Sequence, residues 1–159
     1  MNGAKTAGAG EHQQFMRKAL AMAERGMAAG GAPVGACLVR DGVVVGLAQN
    51  AVVASLDITA HAEIVVIREA CRELQTLSLA GARLYVTVEP CAMCLAACHY
   101  AGITEIFFGA DIAAMHAVTG SELSTDNNSA GGAQPSPEIT GGVLASECIA
   151  MLNAWRPVG

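Results

Sequence analysis

The sequence predicts an α/β domain built on a mixed β-sheet with helices on both faces. Three observations carry this reading. Stretches with apolar residues at helical spacing alternate with short strand-like runs along the chain. Asp41-Gly42 forms a two-residue hairpin turn between two such runs, so the first two strands are antiparallel neighbours. The third and fourth runs are joined by a helical stretch, which makes them parallel with a right-handed crossover.

Each element has its own justification. From Glu11 to Gly30, Phe15, Ala19, Met22, Ala23 and Met27 recur at spacings of three and four, which predicts an amphipathic helix. Gly30-Gly31 and Pro33 end it. Val34–Arg40 and Val43–Ala48 are the hairpin strands, and Asn50–Thr59, without a clear period, reads as a loop. Ala60–Leu74 reads as a helix whose apolar stripe is Ile64, Ile67 and Cys71, flanked by Val65 and Leu74. Arg83–Val88 is mostly apolar, as a buried central strand requires. Pro90 opens a helix that ends at Gly102, because its missing N–H costs nothing there. Thr104–Gly109 is a fourth strand and Asp111–Val118 a short helix. The Ser-, Asn-, Gly- and Pro-rich stretch 119–137 reads as a mobile loop or lid. Glu138–Thr140 is a short strand, and a last helix covers Val143–Trp155.

The chain has 159 residues, so a single domain over 11–159 behind a small polar tail at 1–10 is expected. Hydrophobic residues make up 53% of it, which predicts a large core plus an apolar interface, most simply that of a homodimer. No apolar run is long enough for a membrane span, and no secretory signal opens the chain. Six cysteines in that setting are read as reduced thiols of a cytoplasmic protein. The net charge is −5, and the nine basic residues are scattered rather than gathered in a stripe, which argues against a nucleic-acid partner.

Two short segments carry the chemistry: Thr59-Ala60-His61-Ala62-Glu63 and Glu89-Pro90-Cys91-Ala92-Met93-Cys94. Both fall at predicted helix starts, where free N–H groups and the helix dipole favour thiolates and other anions. His61, Cys91 and Cys94 supply three metal ligands, the number a catalytic zinc site takes when it keeps one position open. Glu63 stands near that metal without ligating it and is the candidate acid/base residue. His-x-Glu followed by Pro-Cys-x-x-Cys is the spacing of zinc-dependent base deaminases. Cys-x-x-Cys alone also fits a redox pair or half of a structural zinc site. A redox pair would not need His61 or Glu63, and a structural site would need a fourth ligand, for which Cys98, His99 and His116 are the candidates.

On these residues the chain resembles the cytidine-deaminase-fold superfamily, in the branch that holds bacterial guanine deaminases, yeast-type cytosine deaminases and tRNA adenosine deaminases. The likeness runs from about Glu11 to Trp155 and includes Pro33-Val34-Gly35-Ala36, Asn50, both motifs, Leu84–Glu89 and the Ile139–Cys148 ending. It implies a three-layer α/β/α sandwich around a five-stranded mixed sheet, usually dimeric. It implies one Zn2+ per chain on His61, Cys91 and Cys94, with Glu63 as proton shuttle. It also implies that Asn50 hydrogen-bonds the substrate, and that main-chain groups of Ala62, Glu89 and Cys91 line the pocket.

The substrate is less plainly written. Guanine deaminases carry an aspartate after the fourth strand; the counterpart here is Ala114, and Asp111 is the nearest replacement. Asp57 is followed by Ile58 where many relatives have proline. The last helix has Glu147 and only Arg156 as a cation, unlike the basic ending of tRNA adenosine deaminases. Tyr100, one to two turns after Cys94, is a candidate to stack on a flat ring, with dimer packing as its competing role. The expected function is hydrolytic deamination of a free nucleobase, of guanine or cytosine type, or of an aminotriazine-like heterocycle. The alternatives are tRNA adenosine-to-inosine deamination and a non-catalytic zinc scaffold.

Overall fold

Helix α1 (Ala9–Ala28) lies on strand β1 (Gly35–Arg40) at a spacing that a glycine makes possible. A Cβ on Gly35 would run into the main chain of Ala19 and Ala23. The structure, a computed structural model, describes residues 8–120 and 136–156. Strand β2 (Val43–Gln49) returns antiparallel to β1 through Asp41 and Gly42, whose φ values of 54° and 76° are those of a hairpin turn.

A short helix α2 (Val52–Ser55), helix α3 (Ala62–Glu73) and strand β3 (Ala82–Val88) follow. Helix α4 (Ala92–Ala101) then leads to strand β4 (Glu105–Ala110), helix α5 (Ile112–Thr119), strand β5 (Glu138–Thr140) and helix α6 (Ala145–Ala154). The sheet has five strands in the order β2-β1-β3-β4-β5. β1 is antiparallel to β2 and β3, whereas β3, β4 and β5 run parallel. The mixed sheet read from the hairpin and the crossover is therefore present.

Side chains alternate across a sheet, so neighbouring contacts assign the helices to faces. Gly35 faces α1, while Gly46 faces α3, where a Cβ would sit 2.8 Å from Val66. Phe107 meets His12 of α1, and Gly109, two residues on, faces Cys148 of α6. Helices α1 and α6 thus cover one face and α3 the other, with α4 packed beside α3. Met16, Leu38, Leu84, Tyr85, Ile106 and Leu152 are fully buried between these layers. The Tyr85 hydroxyl lies 2.8 Å from His12 Nδ1, and its ring stacks on Phe107.

Three expectations need correction. The stretch 50–59 is not wholly irregular: Val52–Ser55 makes one helical turn, started by Asn50 Oδ1, which accepts from Val52 N at 3.1 Å. The buried face of α3 is Ala62, Glu63, Val66 and Ala70, while Ile67, Cys71, Val65 and Leu74 are only partly buried around it. The helix lies so close to the sheet at Gly46 that small side chains occupy the contact and larger ones move to its flanks. Helix α5 runs through Thr119, where the loop was expected to begin. Residues 121–135 of that loop lie outside the described residues, as do 1–7 of the tail and 157–159. All six cysteines are free thiols. No described helix is long and apolar enough to cross a membrane.

Candidate active site

His61 is the N-cap of α3 and Cys91 the N-cap of α4, and neither makes a side-chain capping bond. Each is held by its turn: His61 N donates to Thr59 O at 2.8 Å, and Leu95 N donates to Cys91 O at 3.0 Å. The segment before His61 is fastened by Asp57, which accepts from the main-chain N and hydroxyl of Thr59 and from Arg68. Cys94 lies in the first turn of α4 and is fully buried.

These elements bring His61 Nδ1 to 3.7 Å from Cys91 Sγ and 3.6 Å from Cys94 Sγ. All three ligand atoms lie within 4.8 Å of one another. A tetrahedral zinc with ordinary bond lengths has edges of about 3.6 Å from nitrogen to sulfur and about 3.8 Å between sulfurs. The donor set therefore fits zinc, and His61, Cys91 and Cys94 are positioned to bind it. Among the described residues, no other group of three or more such side chains has this geometry. Of the reserve ligands considered from the sequence, Cys98 and His99 are buried outside the cluster, and His116, on α5, is not part of it either.

The electrostatics of the cluster follow from two thiols competing for one negative charge. A hydrogen bond from the Cys94 thiol, helped by His61, pulls Cys91 down to about 4. The same bond and burial push Cys94 upward. The hydrogen bond with Cys91 raises His61. Glu63 is 4% exposed, and burial raises its carboxyl above the usual carboxylate range.

A small cavity of about 100 Å³ opens onto this cluster. Val34, Asn50, His61, Glu63, Val88, Glu89, Cys91, Ile112 and Met115 line it. Its walls are largely apolar with a few convergent polar groups, as in small-molecule sites. Asn50 is placed by its own N–H, which donates to Val34 O at 3.0 Å. Its Oδ1 is taken by Val52 N, so the amide has its NH₂ to offer.

Most of the residues singled out from the sequence converge here. Asn50, His61, Glu63, Glu89 and Cys91 line the cavity, and Cys94 completes the ligand set behind it. Three do not reach it. Ala62 is fully buried between His61 and Glu63 and is not part of the lining. Tyr100 is 78% exposed on α4, away from the cavity, because the inner face of that helix is taken by Cys94, Cys98 and Ala101. Asp111 caps α5, its Oδ1 accepting from Ala114 N at 2.9 Å, and sends Ile112 and Met115 into the wall instead of itself. Val34, Val88, Ile112 and Met115 carried no sequence signal as site residues; they are apolar positions that only the tertiary fold turns toward a cavity.

Comparison with known proteins agrees with this geometry. Residues 9–110 match the cytidine and deoxycytidylate deaminase zinc-binding region. The guanine deaminase of Bacillus subtilis is 42% identical over 101 residues, covering 63% of this chain and 65% of its own length. The tRNA-specific adenosine deaminase of Haemophilus influenzae is 35% identical over 144 residues, covering 90% of this chain and 82% of its own. A solved structure from work on A-to-I editing by tRNA:A34 deaminases at the wobble position superposes with a TM-score of 0.73 at 36% identity, over 87% of this chain and 98% of that one.

Proposed function

Because the chain belongs to the zinc-binding cytidine and deoxycytidylate deaminase family, we propose that it hydrolyses the exocyclic amine of a free nucleobase or related amino-heterocycle and releases ammonia. The observation that carries this reading is a buried carboxylate, Glu63, beside a three-residue zinc site in a small, largely apolar cavity.

His61, Cys91 and Cys94 hold zinc, which when bound supplies the Lewis acidity that makes water nucleophilic near neutral pH. Glu63 takes a proton from the attacking water at its carboxylate. It gives that proton to the ring nitrogen beside the carbon under attack, then takes the proton of the newly added hydroxyl, as this becomes the carbonyl, and gives it to the departing amine. The balance is amine plus water to carbonyl plus ammonia. Burial suits Glu63 to this work, because a carboxylate shielded from bulk water passes its proton on within the cavity. Asn50 donates its NH₂ to an acceptor on the ring. Val34, Val88, Ile112 and Met115 offer apolar contact to the ring and exclude water.

A free base is favoured over a nucleic acid by the net charge of −5 and the scattered basic residues. A second reading, deamination of adenosine in tRNA, is favoured by one observation. Two tRNA-specific relatives match over 144 and 145 residues, 90% and 91% of this chain.

The test is ammonia release, with zinc quantified, from guanine, cytosine, adenine, their nucleosides and aminotriazines, beside inosine formation in an anticodon stem-loop. Turnover of a free base is expected. Inosine in the stem-loop alone would replace this reading by the second, and no product from the zinc-loaded protein would remove both.

A further inference from the structure

Strands β3 and β4 run parallel, and their last paired residues are Val88 and Ala110. Beyond that pair both chains leave the sheet at the same end. One continues through Glu89 and Pro90 to the metal ligand Cys91; the other turns at Asp111 into α5. Glu89 ties the two exits together twice. Its N–H donates to Ala110 O at 2.8 Å, and its side-chain Oε2 accepts from Ile112 N at 2.8 Å.

Ile112 is the first residue of α5, so its N–H has no acceptor within the helix. Asp111 serves Ala114 N and leaves Ile112 N to Glu89. Glu89 also lines the cavity, two residues before Cys91, and α5 supplies Ile112 and Met115 to the same lining. One carboxylate therefore spans from the metal-binding loop to a helix that lines the cavity. A negative group at a helix start is held there by the helix dipole as well as by the hydrogen bond.

We propose that Glu89 is a specificity-determining positioning residue, whose carboxylate sets the gap between the metal-binding loop and the Ile112–Met115 wall. Which ring is held over the metal then depends on this tether and not on direct contact of Glu89 with the reacting atoms. The proposal rests on the deaminase reading of the cavity.

The test compares Glu89→Gln, whose amide oxygen can still accept from Ile112 N, with Glu89→Ala, which cannot. Both are measured as zinc-loaded protein for zinc content, for hydrogen exchange at the Ile112 amide, and for kcat and KM with guanine. Both are expected to keep their zinc. From the loss of one partly buried hydrogen bond, Glu89→Ala should speed Ile112 exchange by about tenfold and raise KM by about tenfold, with kcat within about threefold. Glu89→Gln should stay within about twofold of the parent in all three. Equal loss of kcat in the two variants would overturn the proposal, since the carboxylate would then act on the substrate itself. Unchanged Ile112 exchange in Glu89→Ala would overturn it as well. If the parent protein releases no ammonia from guanine, it is the substrate reading that fails, and Ile112 exchange still decides the tether.

Discussion

His61 Nδ1 and Cys94 Sγ stand 3.6 Å apart, although 33 residues separate them in the chain. That distance is the edge of a zinc tetrahedron. Cys94→Ser is therefore expected to lose most of its zinc and, with it, ammonia release. Metal analysis of the purified variant, followed by activity with added zinc, checks this. A Cys94→Ser protein with full zinc and full turnover would remove Cys94 from the ligand set.

Glu63 lies in the same cavity but carries a different expectation. Glu63→Gln keeps the shape and the ligands, so zinc content should stay at the parent level. Turnover should fall by roughly 10²- to 10⁴-fold, the usual worth of a positioned acid/base group. The pair of measurements separates proton transfer from metal binding. Loss of zinc along with activity would mean that Glu63 supports the metal site instead.

Asn50 tests how the ring is read. Its oxygen is committed to Val52 N, so only the NH₂ faces a ligand. Asn50→Asp keeps that commitment but has no donor left. It should lose about 1–3 kcal/mol of substrate stabilisation, or about 5- to 150-fold in kcat/KM. Asn50→Ala should lose a similar amount and also loosen α2. Equal kcat/KM in Asn50→Asp and the parent would show that no ligand acceptor meets this amide.

The Asp57 carboxylate predicts a pH dependence of stability. Hydrogen bonds from the Thr59 hydroxyl and main chain hold it below its ordinary range, with Arg68 adding to them. A carboxyl depressed in the folded state stabilises the fold at pH above its unfolded value of about 3.9, and that contribution disappears as pH falls through the folded value. Asp57→Asn should therefore lower Tm at neutral pH and converge with the parent in acid. Melting curves taken from about pH 7 down to about pH 2 test the sign. A Tm difference that grows toward low pH would contradict it.

The zinc site was legible because its chemistry is local. His61 with Glu63, and Cys91 with Cys94, each sit within one helix start, and ligand type and spacing survive without knowledge of the fold. The strand order was partly legible for the same reason: Asp41-Gly42 fixes one pair by its turn, and the helix between the third and fourth strands fixes another. What the sequence concealed depends on distant register. The role of Glu89 exists only because Val88 pairs with Ala110, which puts Ile112 N within reach. The inner face of α3 was misread because Ala and Val outrank Ile where a helix closes on Gly46. Tyr100 has the composition of a stacking residue, and nothing in the sequence shows that it points to solvent.

Strand β3 lies between β1 and β4, and the metal ligands flank it along the chain, His61 before and Cys91 and Cys94 after. A central strand must be inserted, antiparallel on one side and parallel on the other, before the three donor atoms meet. Such non-local pairings form slowly and late. The complete donor set therefore belongs to the assembled sheet, and bound zinc is expected to slow unfolding, which unfolding rates with and without added zinc check.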